Sequence, residues 1–249
     1  MNLWIFFFII LGCIVLFLLI FSLPRKKNKR IVSIEGIDDP EVAKAFEKMT
    51  NFFPFKILRR RIISELRHYQ LQGTLVDVGC GSGNLIVKIA NQFKDLYLIA
   101  MDVSKEILNL AKIRATKAHL DKIIKFEIGD VDNMPLEDKS VDFIVSSLSL
   151  HHWSDPKLAL KELSRISKDD GTILIFDFRR NSRRFFYGLL TFATKIVVPN
   201  ALKAINEPLG SLKAGYTAGE VRTMFSELNI KNYVIKPYLA WMFIEIKKP

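Results

Sequence analysis

Cysteine is scarce in this chain of 249 residues: there are two, Cys13 in an apolar run and Cys80 in a glycine turn. So few, so placed, exclude a disulfide framework and suit a reducing compartment. Histidine is nearly as rare, four residues with no cysteine or carboxylate cluster at ligand spacing, so no metal site is expected. Repeats and low-complexity tracts are missing, which rules out a solenoid or a fibrous chain. Acidic residues are outnumbered, 26 Asp and Glu against 37 Lys and Arg, for a net charge of +11. An excess of that size attracts phosphate, but there is no basic stripe interleaved with stacking aromatics, so a nucleic-acid partner is not expected.

Charge is wholly absent from residues 3–23, LWIFFFIILGCIVLFLLIFSL. As a helix this run spans roughly 31 Å, close to the thickness of a hydrocarbon core, and it predicts a transmembrane segment. A cleaved signal peptide would carry positive charge before the run and a small-residue cleavage site after it. Here only Met1 and Asn2 precede, and Arg25-Lys26-Lys27-Asn28-Lys29-Arg30 follows. Residues 1–30 therefore read as an uncleaved single-pass anchor whose basic flank holds the remaining chain in the cytoplasm. Two further clusters, Arg59-Arg60-Arg61 and Arg179, Arg180, Arg183 and Arg184, suit a domain lying against anionic headgroups.

What the chain does have is organised around Leu75-Val76-Asp77-Val78-Gly79-Cys80-Gly81-Ser82-Gly83-Asn84-Leu85. The apolar run predicts a buried strand, and glycines straight after it let the backbone turn sharply and approach a ligand closely. From Asn84 the spacing of Leu85, Ile86, Ile89, Ala90 and Phe93 is helical. Strand, glycine turn and helix N-terminus in that order make a nucleotide-type site with free N–H groups facing the bound molecule. A second apolar strand, Leu98 to Met101, ends in Asp102, 19 residues beyond Gly83, where a carboxylate can accept hydrogen bonds from ribose hydroxyls. A third strand, Ile123 to Ile128, ends in Gly129-Asp130.

These residues resemble a class I S-adenosylmethionine-dependent methyltransferase, of the methyltransferase type 11 group that includes the quinone-biosynthesis C-methyltransferases. VDVGCGSGNL at 76–85, MDVS at 101–104, GDVDNMPL at 129–136, VDFIVSSLSLHHWSD at 141–155 and DDGTILIFD at 169–177 carry the likeness, in the right order. A dinucleotide oxidoreductase fits less well, because its third glycine falls three positions after the second rather than two. The resemblance implies an α/β fold: a Rossmann-like, seven-stranded, mostly parallel sheet with helices on both faces and the last strand antiparallel. It implies S-adenosyl-L-methionine as cofactor, with S-adenosyl-L-homocysteine as product. Asp77 and the backbone of Gly79, Cys80, Gly81 and Gly83 would hold the methionine part, Asp102 with Val103 the ribose, Asp130 and Val131 the adenine, and Ser147 would lie beside the methionine end.

Along the rest of the chain, residues 31–72 read as linker and N-terminal helices, Glu41 to Met49 and Phe55 to Tyr69, the latter with Ile57, Leu58, Ile62, Ile63 and Leu66 on its apolar face and Arg59 elsewhere. Residues 73–249 form the cofactor-binding domain. Ser104, Asp155 and Thr217 read as helix caps, Ile107, Leu108, Leu110, Ala111 and Ile113 as a buried face, and Asp169-Asp170-Gly171 as a turn before a strand over Thr172 to Phe178. Residues 179–216, basic and then apolar, break the alternation and read as a lid touching the bilayer. Methyl transfer from a sulfonium mainly needs approach geometry, and the only titratable candidates for removing an acceptor proton are His151 and His152, a pair the resemblance equally explains as a shape-determining turn. His68 and His119 read as surface residues. The reading is a membrane-anchored methyltransferase for a lipid-like small molecule; the alternatives are a catalytically silent binding or scaffold protein and an enzyme with a soluble acceptor.

Overall fold

Strand β1, Gly73–Val78, lies inside the sheet with a parallel neighbour on each edge, a setting that suits its largely apolar run from Leu75 to Val78. In the computed structural model, which describes residues 3–33, 36 and 38–248 with backbone only at 3 and 19–22, β1 pairs in parallel with β2 (Leu96–Asp102), Val76 opposite Ile99. On its other edge it pairs in parallel with β4 (Val141–Ser147), Val76 opposite Ile144. With β3 (Ile124–Ile128), β5 (Ser167–Phe178), β6 (Tyr233–Pro237) and β7 (Trp241–Lys247) the sheet has seven strands in the order β3-β2-β1-β4-β5-β7-β6. Only β7 is antiparallel, to both β5 and β6. This is the architecture that the resemblance implies.

Side chains alternate across the sheet with the strand period, so Leu75, Phe143, Val145 and Leu174 join one buried cluster and Val76, Val78, Ile144 and Ile173 the other. Helices α4 (Asn84–Gln92), α5 (Lys105–Lys117), α6 (Pro156–Ile166) and α10 (Ala218–Glu227) cover these faces. The expected caps are present: Ser104 accepts from the N–H of Ile107 at 3.4 Å, Asp155 from Lys157 and Leu158 at 2.9 and 3.1 Å, and Thr217 forms a capping box with Glu220. Over the C-terminal ends of the strands lie α2 (Pro40–Thr50), α3 (Phe53–Leu66) and, within 179–216, α7 (Arg184–Phe192), a π-helical turn (Ala193–Val197), α8 (Asn200–Ala204) and α9 (Leu209–Ala214).

Four expectations change. Asp169-Asp170-Gly171 is a bulge inside β5, not a turn before it: Ser167 pairs with Val141 and Thr172 with Phe143, so Lys168–Gly171 bows out between two paired ends. Helix α3 is rotated from its expected setting, with Ile57 46 % exposed and Arg59 buried. On α5, Ile113 is exposed and Ala115 takes its place inside. The anchor expected over residues 3–23 is helical as α1, Leu3–Ser22, but among the described residues no helix is long and apolar enough to cross a membrane, the described side chains of α1 running from Trp4 to Leu18.

The basic flank is no loose tether. Lys26 N–H donates to Ser182 O at 2.9 Å, Ile31 N–H to Lys213 O at 3.3 Å, and the Arg180 guanidinium to Asn28 O at 2.7 Å. Of the arginines assigned to headgroups, Arg59, Arg179 and Arg180 are buried, the last paired with Glu220, because each finds carbonyl acceptors inside the domain.

Candidate active site

The glycine turn is held by the end of β2. The N–H groups of Gly79 and Cys80 both donate to Met101 O, at 2.9 and 3.0 Å, which folds the chain over and brings Gly81 N–H to 2.8 Å from Asp102 Oδ2. Asp102 Oδ1 accepts from Ser104 N–H at 3.1 Å. The Asp102 carboxylate is 5 % exposed, and burial raises it above the usual carboxylate range. The carboxylate also borders the cavity, where it can accept from a ligand hydroxyl.

Gly81 has φ +54°, and a Cβ there would meet nothing nearer than Phe46 Cε1 at 3.7 Å, so its open side is the cavity. Gly83, at φ +74°, is different: a Cβ would lie 2.9 Å from that of Ala111, so glycine here lets the start of α4 pack on α5.

Asp77 is fully buried behind this turn. Among the described residues neither of its oxygens has a hydrogen-bond partner, the backbone of Ile86 contributing only a minor stabilisation. Burial first, and the nearby Asp102 second, push its carboxyl up to about 8. A buried carboxyl without a donor is the arrangement expected where a cationic ligand completes the site.

In front of the turn is a cavity of about 240 Å³. Gly79, Cys80, Gly81, Asp102, Val103, Asp130, Val131 and Ser147 all line it; Asp77 and Gly83 lie behind its surface. Val103 is 57 % exposed, and the exposed Asp130 is oriented by the N–H of Asp132 at 3.1 Å. Burial holds the Cys80 thiol well above its ordinary value, so it stays protonated and unreactive.

The two histidines part company. His151 is buried and turned from the cavity, with Nδ1 2.7 Å from Asp177 Oδ1 and its backbone N–H donating to Asp177 Oδ2 at 2.8 Å. His152 lines the cavity and packs on His151 with ring centroids 4.1 Å apart. Burial, then His151 and Arg30, push His152 down to about 2, so it is neutral at physiological pH and works as a hydrogen-bonding group. His68 and His119 are exposed.

Two cavity residues escaped the sequence reading. Arg59 donates to Thr50 O at 2.7 Å and, among the described residues, has no partner for its Nε–H; burial and Arg114 lower it to about 10, so it remains a cation. Its spacing from Ile62, Ile63 and Leu66 is that of one helix face, a signal that was there to find. Glu207, 4 % exposed, accepts from Ser33 Oγ at 2.6 Å and from Ser211 Oγ, and burial raises its carboxyl. No local pattern marks it.

The buried Asp77 carboxyl, the open side of Gly81 and the cavity-lining carboxylate of Asp102 fit a ligand with a cationic amino-acid end and a ribose, as S-adenosylmethionine has. Residues 76–175 match the family described as Methyltransferase domain. The chain is 27 % identical over 139 residues to the ubiquinone/menaquinone biosynthesis C-methyltransferase of Rickettsia felis, covering 54 % of this chain and 56 % of that one. To its counterpart in Rickettsia prowazekii it is 28 % identical over 150 residues, 59 % of each chain. The chain thus spans under two thirds of the length of these curated relatives.

Among solved structures, an S-adenosylmethionine-dependent methyltransferase of Aquifex aeolicus matches with TM-score 0.60 at 22 % identity, over 85 % of this chain and 99 % of that one. A plantazolicin methyltransferase, solved with S-adenosylhomocysteine, matches with TM-score 0.67 at 16 % identity, over 85 % and 92 %. Residues 76–175 are thus similar to a methyltransferase domain, and the fold around them is shared with S-adenosylmethionine-dependent methyltransferases.

Proposed function

We propose that the whole protein is an S-adenosylmethionine-dependent methyltransferase held at a membrane by α1, acting on a lipid-soluble or amphiphilic small molecule. The observation that carries the reading is one cavity lined both by the glycine turn with Asp102 and by Leu58, His152, Phe178 and Glu207, groups that suit a cofactor and an acceptor respectively. Bound there, S-adenosylmethionine supplies a methyl group on a sulfonium, whose departure leaves a neutral thioether and needs no acid. The protein supplies the rest. Asp77 and the backbone of Gly79–Gly83 hold the methionine part, Asp102 with Val103 the ribose, and Asp130 with Val131 borders the base. Arg59 offers its free N–H to a carboxylate, and Ser147 borders the methionine end. Leu58 and Phe178 exclude water and His152 and Glu207 can orient the acceptor, and such positioning is where much of the rate enhancement of a displacement arises.

His152 is the histidine placed to meet the acceptor, as a neutral hydrogen-bonding group, while His151 is held by Asp177 and fixes the turn. For the anchor, α1 is helical over 20 residues, about 30 Å, its described side chains are all exposed, and a strongly basic segment follows it. That basic flank favours a cytoplasmic catalytic domain. The relatives' printed activity, methylation in ubiquinone and menaquinone biosynthesis, is the reason to try quinone precursors first as acceptors. The test is calorimetric titration of the full-length protein in detergent with S-adenosylhomocysteine, followed by incubation with methyl-labelled cofactor and a lipid extract. Binding with label transfer to an extractable lipid supports the proposal. Binding with no transfer to any lipid or soluble acceptor leaves the silent binding protein, and no binding removes both.

A further inference from the structure

We propose that the outward face of α7 and of the π-helical turn after it, together with the first turns of α3, rests in the interface of a lipid bilayer, so that the acceptor end of the cavity is served from the membrane. This deepens the reading above and rests on it.

The argument begins at α1. From Trp4 to Leu18 every described side chain is exposed, with Trp4 at 72 %. A helix apolar on all sides needs an apolar phase all round it, which a groove on another protein supplies on one side only. Lipid is therefore the surrounding that this helix fits.

The end of α1 is fastened to the beginning of α7. Arg183 Nη1 donates to Leu23 O at 2.9 Å, Arg184 N–H to Pro24 O at 3.2 Å, and Arg25 and Arg183 form a β-bridge. Wherever α1 leaves the lipid, α7 starts. From that level α7 runs 9 residues, roughly 14 Å. Along it and the following turn Leu189, Phe192 and Ile196, at helical spacing, are exposed, Ile196 by 65 %. Phe53 and Ile57 on α3 are exposed as well.

The inner faces of the same segments close the cavity. Leu58, a cavity residue, packs in one cluster with Leu190 and Leu209, and Phe55, another, with Val198 and Leu202. The outward apolar residues are thus one layer from the acceptor end. Charge agrees with an anionic surface: from Phe178 to Asn206 there is no Asp or Glu, while Arg184, Lys195 and Lys203 lie in the segment. An apolar patch bordered by cations, continuous with a lipid-seeking helix, fits the headgroup boundary.

The test uses the full-length protein with Cys13→Ser, reconstituted in vesicles of phosphatidylcholine and phosphatidylglycerol, with the buried Cys80 kept and the parent without an added cysteine taken through labelling to set the background. Single cysteines are introduced as Phe192→Cys, Ile196→Cys and, for reference, Lys231→Cys, and labelled with an environment-sensitive fluorophore. Lys231 precedes β6, which runs parallel to β5 through their shared antiparallel neighbour β7, so it lies at the end of the sheet opposite the cavity. Labels at 192 and 196 are expected to be blue-shifted and quenched severalfold more by nitroxide-bearing lipids than the label at 231. Equal quenching at all three sites overturns the proposal, as does a blue shift at 192 and 196 without lipid quenching, which would mean a second copy covers the face. S-adenosylhomocysteine titration of the same vesicles reports separately on the methyltransferase reading, since the labels answer the question of the membrane whether or not the cofactor binds.

Discussion

Asp102 Oδ2 lies 2.8 Å from the backbone nitrogen of Gly81, so the residue that ends β2 also sets the position of the glycine turn that follows β1. One carboxylate thus shapes the cradle and lines the cavity. Asp102→Asn keeps the side-chain volume but removes the charge. Cofactor affinity is expected to fall by roughly 1–3 kcal/mol, the value of a charge-assisted hydrogen bond, with the melting temperature little changed. Calorimetry beside thermal unfolding checks both halves.

Gly81→Ala and Gly83→Ala separate site from scaffold. At 81 the methyl group points into the cavity and only the left-handed backbone resists it, so about 1–2 kcal/mol of stability is lost along with most cofactor binding. At 83 the methyl group is driven against Ala111, and overpacking adds about 1–3 kcal/mol to the same backbone strain. Denaturant unfolding should rank Gly83→Ala as the less stable variant.

Asp77 makes the stability of the ligand-free protein depend on pH. Its carboxyl is raised from 3.8 to about 8 on folding, so the folded state binds more protons than the unfolded state between those values. Its contribution to stability is fully present below pH 3.8 and is lost as the pH rises through about 8. Asp77→Asn is expected to flatten the fall in melting temperature between pH 5 and about 8, raising stability at the alkaline end while weakening cofactor binding. A wild-type melting curve already flat over that range would count against a protonated Asp77.

Arg180 clamps the basic flank to the domain through Asn28 O, Gly215 O and Glu220. Since the Glu220 side chain stays 42 % exposed and can be hydrated, the cost of Arg180→Ala is set by the lost hydrogen bonds, about 1–3 kcal/mol. Arg180→Lys should recover little of it, because an ammonium cannot span acceptors that a planar guanidinium reaches together. Limited proteolysis after Lys27 or Lys29 should accelerate in both variants, and Arg60→Ala, at an exposed position, should leave it unchanged.

The glycine-turn side of the cavity was legible because each of its parts is local: an apolar strand, a glycine turn and a helix start are neighbours in the chain, and Asp102 ends the next strand. The strand periods marked the strands, the resemblance supplied the seven-stranded order with its antiparallel last strand, and Ser104, Asp155 and Thr217 announced their helices through capping chemistry. Local patterns failed where long-range pairing decides. Residues 169–171 carry turn chemistry, yet Ser167 and Thr172 are both held by β4, so the turn is absorbed as a bulge. Arg59 was readable by spacing and masked by its charge.

The sequence by itself determined the strand, turn and helix order, the carboxylates on and after the first strands and the apolar run at the N-terminus, since propensity, turn geometry and hydrophobic period act over a few residues. Tertiary structure alone decided that Arg59, His152 and Glu207 share a cavity with the glycine turn, that His151 faces Asp177 instead, and that the basic flank is strapped to 180–216. Those contacts join groups up to 184 residues apart, and only packing, which buries both partners at once, makes them cheaper than leaving each in water.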